Sequence, residues 1–245
     1  MNNNQSKVEV KVFIGFSNQD LKFKNLFANH LSPIRENINW FCLDTPNHHH
    51  LNNMDDRNLY IHIQERLNQI SSSQVILFLI SPALLSLEKF DLYVQTALAA
   101  KDEKGVEVIP IILDFCTWNI TPLKDLEPLP KNGYPVTHPS WSNQNQAFTE
   151  ITDAIHQTIE DIRKAREEQI QIYRNNLFQY KIIVQNFYKQ NSNLSSELTR
   201  LLMYHQQSLN IQDRDAKQIE TEVKQEFSLN MWIKEMIQLI YEIFF

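Results

Sequence analysis

Glycine is scarce in this chain, with three in 245 residues, at positions 15, 105 and 133. So widely separated, they cannot build the glycine-rich turns with which dinucleotide-binding and P-loop folds cradle phosphate, and both are excluded. Cysteine is equally sparse. Cys42 and Cys116 stand in apolar, strand-like surroundings and read as buried free thiols rather than a disulfide framework. Basic charge is not in excess: 23 Lys and Arg face 29 Asp and Glu, a net charge of −6. No nucleic-acid partner is expected, because that needs a basic stripe. There is no uncharged apolar window of membrane-spanning length, so no transmembrane segment is expected. The opening MNNNQSKVEV lacks the apolar core of a signal peptide. Together these absences predict a cytoplasmic protein.

What is present suits an α/β domain with a smaller appendage. An apolar run through Val8, Val10, Val12, Phe13 and Ile14 breaks into the polar loop Phe16–Gln19, and Phe23, Leu26, Phe27, His30 and Leu31 then recur on one helix face. Ser17 with Asp20 has the spacing of a capping box. That loop therefore lies at a strand's carboxyl end, where open α/β sheets usually bind ligands and partners. Further strands are predicted over Asn39–Leu43, ending at Asp44, over Val75–Ile80, and over Val106–Leu113, whose Pro110 suits a bulge or an irregular edge. Helices are predicted from Asp56 to about Gln69, from Phe90 to before Gly105, and from Ala147 onward. The proline-rich stretch Asp114–Gln144 reads as loop. This alternation predicts a parallel, doubly wound sheet.

Several blocks in this order resemble a family. Phe13-Ile14-Gly15-Phe16-Ser17-Asn18-Gln19-Asp20, then His30-Leu31-Ser32-Pro33 and Trp40, Ile63-Gln64-Glu65-Arg66-Leu67, Val75–Pro82, Val108–Leu113, Cys116-Thr117-Trp118 and Trp141-Ser142-Asn143 are similar to the Toll/interleukin-1 receptor (TIR) domain of bacteria. The resemblance implies a flavodoxin-like, doubly wound parallel sheet of five strands over residues 8–162. It also implies that Phe16, Ser17, Asp20, Trp40 and Asp44 line a nucleotide pocket or an interaction loop.

Many members of that family cleave NAD⁺ with a glutamate early in the third helix, which stabilises an oxocarbenium-like centre. The matching slot here is Tyr93, whose phenol is neutral at pH 7 and cannot supply the charge. Glu88 and Asp91 are the acidic substitutes within reach in sequence, although Asp91 lies roughly 200° around the helix from Tyr93. NAD⁺ is thus expected as a substrate or ligand at most, with no resident cofactor and no metal. The run His48-His49-His50 reads as solvated loop, since contiguous histidines cannot all face one ion. Trp40, Trp118 and Trp141 read as packing residues.

Beyond Ile162 the pattern turns helical. Residues 163–227 resemble small helical modules that accompany effector domains in bacterial conflict systems, through Tyr180–Phe187, Leu198–Leu209 and Asp213–Val223. Leu198, Leu201, Leu202 and His205 are expected on one face of the middle helix. Residues 228–245 form a separate, very apolar amphipathic helix in which Trp232, Met236, Ile240 and Ile243 make one strip. The first expectation is a signalling adaptor that self-associates through TIR surfaces and recruits a protein partner with its helices. The alternative is an NAD⁺ nucleosidase with a noncanonical or assembly-completed site.

Overall fold

The computed structural model describes residues 8–34, 38–42, 56–190 and 196–244. The chain divides into two compact units, Met1–Lys164 and Ala165–Phe245.

In the first unit, β1 (Val10–Gly15), β2 (Ile38–Cys42), β3 (Val75–Ile80) and β4 (Glu107–Ile112) form one parallel sheet in the order β2-β1-β3-β4. The helices are α1 (Leu21–His30), α2 (Asp56–Ser72), the short α3 (Pro82–Leu85), α4 (Phe90–Lys104) and the first part, to Lys164, of the long α5 (Gln144–Gln190). Alternate strand residues feed two cores, one on each face. Val12, Ile14, Leu77, Leu79 and Ile111 meet Phe27 and Leu31 of α1 and Phe148, Ile151 and Ile155 of α5. Here the Phe27 and Phe148 rings stack at 5.5 Å between centroids. Phe13, Ile76, Phe78, Ile80 and Val108 meet Ile70 of α2 and Phe90, Val94 and Ala97 of α4. A parallel strand covered on both faces must be apolar throughout, and every residue of β3 is buried. Gly15 is required by its neighbour, since a Cβ there would lie 2.7 Å from the Phe78 ring. Gly105, at φ 67°, ends α4 in the left-handed conformation, its N–H bonding Lys101 O.

The five-stranded, flavodoxin-like sheet is corrected by this topology: the described residues contain four strands. Along the outer edge of β4, where a fifth would lie, the chain makes separate local contacts. Leu129 N–H donates to Pro110 O and Leu129 O accepts from Ile112 N–H, each at 2.8 Å, while the N–H groups of Val136 and Thr137 donate to Ile112 O and Leu113 O. Pro128, Pro130 and Pro135 lack the N–H that a continuous ladder would use. The edge is covered, but by loop.

The second unit comprises the later part of α5, α6 (Ser196–Ser208) and α7 (Asp213–Phe244). Tyr180, Val184, Leu202, Ile211, Ala216 and Val223 form its core. Asn210 takes φ 51°, the Asn210 N–H reaches Gln207 O and the Ile211 N–H reaches Gln206 O, the pairing of a Schellman turn that ends α6 and buries Ile211. Tyr180 donates its hydroxyl to Glu220 at 2.5 Å, and Tyr173 donates to Asp215 at 2.7 Å while accepting from Gln212 N–H. Two sequence expectations change here. Leu201 is 43% exposed rather than on the buried face of α6, because the one-sided contact with α5 and α7 needs a narrow stripe centred on Leu202. The terminal apolar segment is not a separate helix but the continuation of α7 from Asp213. The Asn191–Asn193 break lies outside the described residues.

Candidate functional site

The sheet order places the topological switch between β1 and β3, and the groups at the carboxyl ends of those strands and of β4 make the candidate site. After β1, Ser17 is buried and its hydroxyl accepts from Gln19 N–H at 3.3 Å, starting a 3₁₀ turn over Asn18–Asp20 that leads into α1. Asp20 reciprocates by accepting from Ser17 N–H. The capping pair is therefore formed around this 3₁₀ turn. Asp20 also accepts a hydrogen bond of 2.5 Å from the Ser81 hydroxyl, at the end of β3. Ser81 Oγ in turn accepts from Leu84 N–H and caps α3. One side chain thus clasps two strand ends 61 residues apart in sequence.

Burial pushes the Asp20 carboxyl up; the Ser81 and Ser17 hydrogen bonds pull it down, and the Asp114 charge adds to the rise. Asp114, just beyond β4, accepts from its neighbour Phe115 N–H at 2.8 Å and from the Thr137 hydroxyl at 2.6 Å. Cys116 is half-buried, and burial, with the Asp114 and Asp20 charges beside it, pushes its thiol up. A thiol so placed stays protonated and is a poor nucleophile. Both carboxylates are engaged by donors of the chain itself, so the cluster ties the strand-end loops together.

Phe16 is fully buried in the core shared by α1 and α5, with the Lys24 ammonium 5.6 Å from its ring centroid. Trp40 sits in β2 opposite Val12; its side chain, Asp44 and His48–His50 lie outside the described residues. So does the Cys42 side chain. Tyr93, 8% exposed, packs in the core on the other face of the sheet from Phe16. Burial raises its phenol, against the charges of Arg66 and Lys89. Glu88 is exposed and ion-paired with Lys89, which lowers its carboxyl. Asp91 is exposed in the first turn of α4. The structure joins Ser17 and Asp20 beside Phe16 at one strand end, and Tyr93, Glu88 and Asp91 belong to α4 or the turn before it.

Sequence reading missed Ser81, Asp114 and Thr137 as members of the cluster. The available signal was position: Ser81 and Asp114 are the first polar residues after two predicted buried strands.

No protein-family model matches the chain. The chain is similar to an uncharacterized protein, y4lF, of Sinorhizobium fredii (strain NBRC 101917 / NGR234), at 29% identity over 91 residues. Those residues are 37% of this chain and 28% of that protein, so the chain spans less than a third of the relative it matches.

Proposed function

We propose that the chain is a cytoplasmic signalling adaptor of a bacterial defence or signal-transduction system, TIR-related by its sequence blocks. It works by self-association and by recruiting a protein partner through its helical unit. The observation that carries this reading is the state of α4. Its inward residue at the expected catalytic slot is a buried, neutral tyrosine, and both acidic neighbours are exposed, one of them paired with Lys89. Loss of one electrostatic stabiliser of this kind commonly costs ~10²–10³ in rate. Support also comes from the strand-end cluster, where Asp20 and Asp114 are held by Ser81 and Thr137. The helical unit adds exposed Phe178, Met203 and Tyr204 around a closed core, which suits docking of another protein.

The test is release of nicotinamide from NAD⁺ by the full chain at high protein concentration with a crowding agent, with Tyr93→Glu beside it. The adaptor reading expects a silent wild type. Wild-type turnover overturns it, and turnover by Tyr93→Glu alone would show a pocket that lacks its acid and nothing else.

A further inference from the structure

The loop after β4 gathers three aromatic rings around one carboxylate. Asp114 Oδ1 accepts both from Phe115 N–H at 2.8 Å and from the Thr137 hydroxyl at 2.6 Å. The two donors fix the carboxylate and leave Oδ2 without a partner among the described residues, yet open to solvent. The residues next to Asp114 and Thr137 bring their rings together: Phe115 lies 5.6 Å from His138 between centroids. Tyr134 stacks on the same imidazole at 4.1 Å, with the two planes 5° apart. His138 Nδ1 accepts from Ser140 N–H at 3.1 Å and from the Ser140 hydroxyl at 2.6 Å. That nitrogen therefore carries no proton, and the imidazole is neutral. The loop is pinned, since His138 N–H and Trp141 Nε1 both donate to Pro135 O at 2.9 Å. Phe115 nevertheless remains 63% exposed and Tyr134 46%.

We propose that this corner binds a guanidinium group, the arginine side chain of a partner protein, against Asp114 Oδ2 and the exposed rings of Phe115 and Tyr134. Three observations select that chemistry. First, neither Asp114 nor Asp20 is ion-paired among the described residues, and the Asp114 charge bears on Asp20. A cation beside Oδ2 supplies the missing counter-charge. Second, a carboxylate alone suits any cation, but open ring faces favour the planar, weakly hydrated guanidinium. That group stacks on a ring while its edge donates to an oxygen. Third, the neutral His138 places no positive charge of the chain at the corner, and the net charge of −6 favours the approach of a basic partner. A nucleotide also offers a ring, but it would bring phosphates toward two carboxylates that lack a counter-ion. This inference deepens the adaptor reading by adding a partner surface on the first unit. It rests on that reading for the source of the arginine and fails separately, since a binding titration does not depend on turnover of NAD⁺.

The experiment is two-dimensional amide NMR of the isotope-labelled full chain, titrated with a short capped peptide carrying one arginine to ~20 mM. The same peptide with lysine or with uncharged citrulline in place of arginine, and AMP, are run beside it. The expected result is saturable shifts of the Asp114, Phe115, Tyr134 and His138 amides with the arginine peptide. Lysine should bind more weakly, and citrulline and AMP should leave these amides in place. Phe115→Ala and Asp114→Asn should each weaken arginine binding by about threefold or more. Asparagine keeps an oxygen for the Phe115 and Thr137 donors, so the loop should persist in that variant and its other amides should superimpose on wild type. No saturable shift with arginine, lysine or citrulline binding as tightly, or arginine binding that survives both substitutions would each overturn the proposal. AMP shifting the same amides to saturation would overturn it in favour of a nucleotide site.

Discussion

Strand β3 and the later part of α7 are both written in apolar residues, and they end in opposite states. The six residues of β3 are no more than 1% exposed, while Leu229, Trp232, Ile237 and Leu239 on α7 are each more than half exposed. The difference lies in the neighbours each element has. Strand β3 has β1 and β4 on its two edges and a helical layer against each face. The apolar side chains of α7 beyond Phe227 belong to no core among the described residues, since the core of this unit reaches no further than Phe227. An apolar pattern therefore states what an element needs; the topology decides whether the chain itself supplies it.

The comparison breaks most sharply at paired truncations. Phe78→Ala removes a buried ring that sits edge-to-face on Phe90 at 6.1 Å, and should cost about 3–5 kcal/mol of folding stability. Trp232→Ala, at a ring that is 57% exposed, should stay within about 0.5 kcal/mol of wild type. Urea denaturation at low protein concentration measures both, and equal losses would mean that the α7 face is already covered.

Next comes Gly15→Ala, whose Cβ would press on the Phe78 ring. A loss of about 1–3 kcal/mol is expected from overpacking. Phe78→Leu in the same chain should return part of it, so the double variant will be less damaged than the sum. Additive losses in the same denaturation experiment would place the strain elsewhere.

In the helical unit, Tyr180→Phe deletes the hydroxyl that donates to Glu220 and should cost about 1–2 kcal/mol. The thermal transition of the full chain reads it. Burial and the Glu220 partner hold that phenol far above its usual range, so the loss should be constant across neutral pH.

The smallest effect is expected at Asp20. Its carboxyl is raised by burial, so the protonated form is the one the fold favours. The stabilisation is complete below the unfolded pKa and fades as pH rises through the folded value. Asp20→Asn cannot ionise and keeps an oxygen for Ser81. Its stability profile should be flatter than wild type between the two values, with a difference below ~1 kcal/mol near neutral pH. Denaturation in a pH series checks this, and a wild type that gains stability through that window relative to the variant would reverse the sign.

Local pattern made much of the fold legible. The runs around Val10–Ile14 and Val75–Ile80 became β1 and β3, and Phe27 and Leu31 face the core as their spacing predicts. The fifth strand came from resemblance, and three prolines beside β4 overruled it. The clasp between Asp20 and Ser81 was not legible, since nothing local links residues 61 apart; pairing of β1 with β3 brings them together. Leu201 shows the same limit on a helix, where periodicity proposes a face and the width of the partner surface trims it. The terminal apolar strip was readable, but its continuity with the helix that begins at Asp213 was not.

The most direct test of the account is amide hydrogen exchange by mass spectrometry on the full chain. The amides of β3, enclosed by the chain itself, should exchange only on global unfolding, while those of residues 229–239 should exchange much faster. Equal protection of the two segments would contradict the claim that the chain covers one apolar element and leaves the other exposed.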